Sequence, residues 1–173
     1  AHWRNREEGQ AFFSVFNFNV THESRIWKNE TSYSKEELDK VRIPDFFPED
    51  DGIKSDFLTN YKNIEKLDQQ IGVIIAQLKA DGLYDNTIIF FFSDHGGPFP
   101  HYKRSIYETG LRCPMLAKWN DDAWKGNTYQ LVSFVDFAPT ILDAANIKRE
   151  FPFEGVSFFK KDQRRYSYAA TDR

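Results

Sequence analysis

The sequence predicts an α/β fold with a mostly parallel sheet, and three stretches carry that prediction. Thr87-Ile88-Ile89-Phe90-Phe91-Phe92 is an unbroken run of β-branched and aromatic residues between turn formers, the pattern of a strand buried on both faces. Phe12 to Val20 is a second apolar run, partly alternating with polar residues, and reads as another interior strand. Between them Ile53, Phe57, Tyr61, Ile64, Leu67, Ile71, Ile74, Ile75 and Leu78 recur at spacings of three and four, which places them on one face of a long helix. Gly82 follows as its stop. Strand, helical crossover and strand form a right-handed parallel unit, with the helix stripe laid on the sheet.

The other elements follow in order. Arg25 to Asp50 has little periodicity and carries Pro44 and Pro48, so it reads as a long surface excursion; within it Ser34-Lys35-Glu36-Glu37 has capping-box form and starts a short helix. Pro98-Phe99-Pro100-His101-Tyr102-Lys103-Arg104 is punctuated by prolines and reads as a loop. Tyr107 to Pro114 is a turn-rich link, and Met115 to Trp119 a short strand. Leu131 to Asp136 leads into a helix over Pro139 to Ala145 with proline in its first turn. Tyr166 to Ala170 reads as a last strand, stopping at Asp172-Arg173. No internal repeat or low-complexity segment interrupts this order.

Composition narrows the function classes. With 173 residues, 40% hydrophobic and 17% aromatic, the chain is long and apolar enough for one folded core. A net charge of −3 without single-sign blocks leaves no footprint for nucleic acid and no polybasic membrane patch. No apolar run approaches the roughly 18 to 20 residues of a membrane span, and no secretory leader opens the chain. The first and last residues read as the interior of a longer protein. Cys113 is the single cysteine, so neither an internal disulfide nor a cysteine-cluster metal site is available. Asn19-Val20-Thr21 and Asn29-Glu30-Thr31 are glycosylation sequons, of consequence only in a eukaryotic secretory protein.

The chemistry-bearing residues sit at predicted strand ends, the edge where open α/β sheets bind ligands. The first strand empties into Thr21-His22-Glu23-Ser24, the second into Ser93-Asp94-His95-Gly96-Gly97, and the following loop carries His101 and Lys103. Asp94 beside His95 reads either as a cation or acid-base site or as ordinary turn chemistry, with Asp94 capping the turn. His22 alone reads as a structural histidine and Lys103 alone as a solvated lysine. Together they are equipment for hydrolysing a charged ester: carboxylate and imidazole for a divalent cation, ammonium for charge stabilisation, and a second imidazole as proton donor.

These residues also carry a resemblance. Ser93-Asp94-His95-Gly96, then Lys103, then Tyr107-Glu108-Thr109-Gly110-Leu111-Arg112-Cys113-Pro114 resembles the sulfatase family of the alkaline phosphatase superfamily, whose pattern is S-D-[HN]-G, a downstream lysine or arginine, and Y-E-x-G-x-R-x-P. Thr21 to Ser24 resembles its strand-end histidine loop, Tyr61 to Gly72 its long helix, and Asp136-Phe137-Ala138-Pro139-Thr140-Ile141-Leu142 its D-x-x-P-T-x-L segment. Gly96 to Pro100 and Arg42-Ile43-Pro44 are similar to the heparan N-sulfatase-like branch.

The resemblance implies a three-layer α/β/α sandwich, represented in part: residues 1–160 belong to the catalytic domain and 161–173 start a C-terminal subdomain. It implies hydrolysis of sulfate esters or sulfamates, with Asp94 and His95 as metal ligands, His22 and Lys103 as catalytic residues at the sulfate or leaving oxygen, and His101 as a substrate-binding residue. The implied metal is calcium. Calcium prefers oxygen ligands, however, and an imidazole leans towards manganese or zinc, which keeps a phosphodiesterase or phosphonate hydrolase of the same superfamily as the alternative. The family's formylglycine nucleophile arises in a C/S-x-P-x-R motif, upstream with two aspartate ligands; this sequence contains no such motif. A third alternative is therefore an anion-binding module without turnover. The implied partner is a sulfated small molecule or glycan, and the implied location periplasmic, extracellular or lysosomal.

Overall fold

The computed structural model describes residues 2–119, 126, 130–148, 150–159 and 164–170. The chain divides into two compact units, Ala1–Thr87 with Pro98–Pro100, and Ile88–Gly97 with His101–Arg173.

The first unit is helical. Three helices, α1 (Ser24–Trp27), α2 (Lys35–Asp39) and α3 (Asp51–Ala80), follow a short 3-10 turn at Trp3–Asn5, and both α1 and α2 pack on α3. Each α3 end is closed by its own sequence. Asp50 accepts from the Gly52 and Ile53 amides at 2.8 and 3.2 Å, satisfying N–H groups that lack a helical partner. At the other end Gly82 takes φ +70°, with Leu83 N–H donating to Leu78 O and Gly82 N–H to Lys79 O, the paired bonds of a Schellman stop. The expected capping box of α2 is present, Ser34 and Glu37 each bonding the other's backbone.

Phe57 on α3 stacks on Phe99 at 3.9 Å and 9° and meets Phe47 edge-on at 5.2 Å, an aromatic centre for this unit. A second centre is Trp3, 2% exposed, with Phe12 and Phe16 around it. Trp3 Nε1 donates to Asp81 at 2.7 Å, and Arg4 bridges both Asp81 oxygens at 2.7 and 3.0 Å. This pins the start of the chain to the end of α3. The Arg4 and Trp3 bonds hold the Asp81 carboxyl down at about 2.

The second unit contains a two-stranded antiparallel ribbon, β1 (Ile89–Phe92) with β2 (Met115–Lys118), registered Ile89 opposite Lys118 and Phe92 opposite Met115. Between the strands lies a one-turn helix, α4 (Glu108–Leu111); after them a 3-10 turn (Phe134–Asp136) runs into α5 (Phe137–Ala144). Phe137 is the hub, 4.5 Å from Phe92, 5.4 Å from Phe90 and 5.3 Å from Phe158 between ring centroids. Phenylalanines thus gather in three aromatic centres, two in the first unit and one in the second.

Asp136 anchors this unit. Its side chain accepts from Ser133 N–H, Val156 N–H, Arg164 Nε and Arg164 Nη2, at 2.9, 2.8, 2.9 and 2.6 Å. Burial raises the carboxyl, but Arg164 and the two amides outweigh it, so Asp136 titrates below the ordinary carboxylate range. Thr140 extends the network, donating to Asp136 O and accepting from Phe158 N–H. At Gly155 any Cβ would collide with the Val135 carbonyl.

Three expectations are corrected. Phe12 to Val20 forms no strand, and Phe13 and Val15 are 68% and 62% exposed. The ladder observed among the described residues is antiparallel, so the parallel strand-helix-strand unit is absent there. The α3 stripe buries Phe57 and Leu78 but leaves Tyr61 and Ile64 exposed. The shared cause is that a buried parallel strand needs hydrogen-bonded neighbours, and an apolar run without one stays extended and unpaired. Likewise Tyr166 to Ala170 has no regular structure, while Asp172 and Arg173 lie outside the described residues.

Candidate functional site

In the second unit β1 ends at Phe92, and Ser93 to Gly97 turn immediately afterwards. Three backbone bonds tie the turn to later segments: Ser93 N–H to Pro114 O at 3.3 Å, Gly96 N–H to Gly110 O at 3.0 Å, and Lys103 N–H to Gly97 O at 3.1 Å. A Cβ at Gly96 would overlap the Thr109 carbonyl, and one at Gly110 would overlap the Ser105 and Tyr102 carbonyls. Both glycines are thus required by backbone approaching backbone. The Y-E-T-G segment lies between the Ser93–Gly97 turn and the 101–105 loop.

His95 and Asp94 are adjacent in space as well as in sequence. Nδ1 of His95 lies 2.7 Å from Gly96 O, and a carbonyl only accepts, so a ring proton is on Nδ1 and in the neutral imidazole Nε2 carries the lone pair. Asp94 Oδ2 is 3.6 Å from that Nε2, and the Asp94 side chain is 86% exposed. One oxygen and one nitrogen donor thus face each other at a spacing a single cation spans. They fit a divalent ion as two of its ligands; among the described residues no cluster of three or more such donors exists. Ser93 Oγ donates to His95 O, bracing the same turn.

Lys103 and His101 lie in the loop that returns to Thr109. His101 and Arg104 have φ of 66° and 64°, in the left-handed region disfavoured for residues with a Cβ. Thr109 Oγ1 donates to His101 O, and the His101 and Tyr107 rings are 5.7 Å apart. The second unit therefore joins Asp94, His95, His101 and Lys103 through one loop system. His22 belongs to the first unit, at the start of α1. Ser24 N–H and Oγ lie 3.3 and 2.9 Å from its Nδ1, which assigns that nitrogen as acceptor and leaves the proton on exposed Nε2.

Cys113, in the stretch that follows α4, is half-buried. Burial pushes its thiol up, a hydrogen bond with Ser93 opposes this, and Asp94 adds to the rise. A raised thiol is the reverse of an activated nucleophile. Sequence reasoning missed Ser24 as the orienting partner of His22, and Thr109 as the tie to the His101 loop. The spacing H-x-S was a legible signal for the first; nothing local signals the second, which spans eight residues.

Comparison with known proteins supplies the family. The Sulfatase family pattern matches residues 2–147. An ulvan-active sulfatase of Formosa agariphila is 39% identical, over all of this chain and 36% of the relative. Human N-sulphoglucosamine sulphohydrolase is 30% identical, over 69% of this chain and 23% of the relative. An N-acetylglucosamine-6-O-sulfatase of Bacteroides thetaiotaomicron is 34% identical, over 53% and 17% respectively. The chain spans about a third or less of the length of these relatives. Among the described residues no helix is long and apolar enough to cross a membrane. With the family pattern running through the Asp94–His95 turn, the Lys103 loop and α5 alike, this chain belongs to the sulfatase family.

Proposed function

We propose that the whole protein is a sulfuric ester hydrolase acting on a sulfated glycan, and that this chain supplies part of its cation site and its leaving-group machinery. The observation that carries the reading is the Asp94–His95 turn, with an exposed carboxylate and an imidazole whose free lone pair faces it. A divalent cation held there supplies charge neutralisation at the sulfate oxygens. Calcium is the proposed ion, and the imidazole donor is the feature that favours manganese or zinc and, with them, phosphoester substrates.

The chain's own groups do the rest. Lys103 offers an ammonium to the charge that develops as the S–O bond breaks, and His101 binds the anionic substrate beside it. His22, with Nδ1 engaged by Ser24, presents its Nε2 proton to the leaving oxygen. The nucleophile is a formylglycine supplied from outside these residues, on a three-layer α/β/α framework to which residues 161–173 add the start of a C-terminal subdomain. Export to the periplasm, the cell exterior or a lysosome accords with such a substrate.

The test is hydrolysis of sulfated oligosaccharides by the whole protein, comparing wild type with His22→Ala and Lys103→Ala. Each substitution is expected to lower kcat by about 100-fold or more, the usual loss for a positioned proton donor or charge stabiliser. Unchanged kcat in both variants overturns the assignment. Preference for phosphodiesters over sulfate esters would favour the phosphoester alternative.

A further inference from the structure

We propose that Thr109 is a positioning residue that holds the His101–Arg104 loop, and with it His101 and Lys103, against the Asp94–His95 turn. The inference rests on the hydrolase reading for its kinetic consequence, though not for its structural one. Thr109 occupies the position that the Y-E-x-G pattern leaves open, so the family motif assigns it no task. Yet its two polar ends meet both loops. Its hydroxyl donates to the His101 carbonyl, and its own carbonyl packs so closely on Gly96 that no side chain fits there.

The loop needs such a tie. Between Gly97 and Thr109 it passes through two non-glycine residues in the left-handed region, His101 and Arg104. Each carries a conformational cost that the surroundings must offset. Two of the bonds that hold it are the Lys103 amide on Gly97 O and the Thr109 hydroxyl on His101 O. The first fixes the middle of the loop and the second its beginning. Loss of the second weakens the hold on the left-handed His101 backbone, and a shift there re-aims the His101 side chain and alters the backbone leading into Lys103. Asp94 and His95 stay in place, because the Gly96–Gly110 bond and the Ser93–Pro114 bond do not involve the Thr109 hydroxyl.

The experiment compares Thr109→Val, Thr109→Ser and wild type in the whole protein. Hydrogen exchange of the amides of residues 101–105 comes first, since it needs no turnover. Thr109→Val is expected to speed exchange there by about tenfold, the loss of one hydrogen bond, with Thr109→Ser restoring the wild-type rate. Unaltered exchange in Thr109→Val overturns the proposal whatever the enzyme does. Kinetics follow on a sulfated oligosaccharide: Thr109→Val is expected to lower kcat/KM by about tenfold, Thr109→Ser to recover it, and the affinity for calcium alone, read by calorimetry, to stay within twofold. Equal losses in Thr109→Val and Thr109→Ser, or a matching loss of calcium affinity, would mean general damage and overturn the positioning role. If exchange responds as expected but wild type hydrolyses no sulfate ester, the hydrolase reading fails and the tie stands.

Discussion

Two aspartates of the second unit, Asp136 and Asp94, meet opposite environments. Asp136 is 1% exposed and receives four hydrogen bonds, two from Arg164 and two from backbone amides. Asp94 is turned outward, and its ion-pair partner among the described residues is His95 at 3.6 Å. A carboxylate whose lone pairs are all taken by the protein can only hold the protein together. One whose lone pairs are left to solvent, beside an imidazole held in the right tautomer, can take up something else. The sulfatase pattern includes both residues, so membership of the motif alone does not separate scaffold from site; hydrogen-bond saturation does.

The contrast can be broken by substitution. Asp136→Ala strands Arg164 and two half-buried amides, and is expected to cost about 3–5 kcal/mol in a denaturant titration. A loss below about 1 kcal/mol would remove the distinction. Gly96→Ala is expected to cost about 1–3 kcal/mol, because its methyl group meets the backbone of Thr109 and not a side chain that can swing away. Asp94→Ala should change stability by less than about 0.5 kcal/mol while weakening calcium binding in calorimetry. A stability loss comparable to that of Asp136→Ala would make Asp94 a scaffold residue too.

Acid sharpens the same comparison. Asp136, Asp81 and Glu37 all titrate below their ordinary values, the latter two at about 2, the Glu37 carboxyl being held by Ser34 and Lys62. A depressed carboxylate adds stability above its unfolded value, near 4, and that contribution is lost as pH falls through the lower folded value. Stability should therefore decline between about pH 4 and pH 2, and Asp81→Asn should flatten that decline. The smallest effect concerns Cys113. Its raised thiol should react with iodoacetamide at pH 7.5 more slowly than an unstructured cysteine peptide does; a faster reaction would contradict the burial argument.

What was legible in the sequence was local. The α3 periodicity, its Gly82 stop, the α2 capping box, β1, β2 and the glycine turn after β1 all depend on residues a few positions apart, and the structure contains them. The strand expected at Phe12 to Val20 is absent, because strand formation is decided by a partner elsewhere in the fold and not by the run itself. The strongest anchors were invisible for the same reason. Arg4 and Asp81 are 77 residues apart and Asp136 and Arg164 are 28 apart, with no periodicity to link them. At the site, the acid-imidazole pair and the cationic loop were readable as types and order; their hydrogen-bond tautomers and the Thr109 tie required coordinates.

The Gly96–Gly110 contact has a further consequence, for how such a site can diversify. Because it is backbone against backbone, it prescribes no chemistry for its neighbours; it forbids side chains at two positions and is indifferent to the rest. Exposed residues of the same loops, such as His101 and Arg104, can therefore vary while the backbone of the Asp94–His95 turn stays as it is. The two glycines guard different contacts: a side chain at Gly96 would push the Ser93–Gly97 turn away from Thr109, and one at Gly110 would push α4 away from the 102–105 loop. A pair of this kind separates what the fold must keep from what it is free to change.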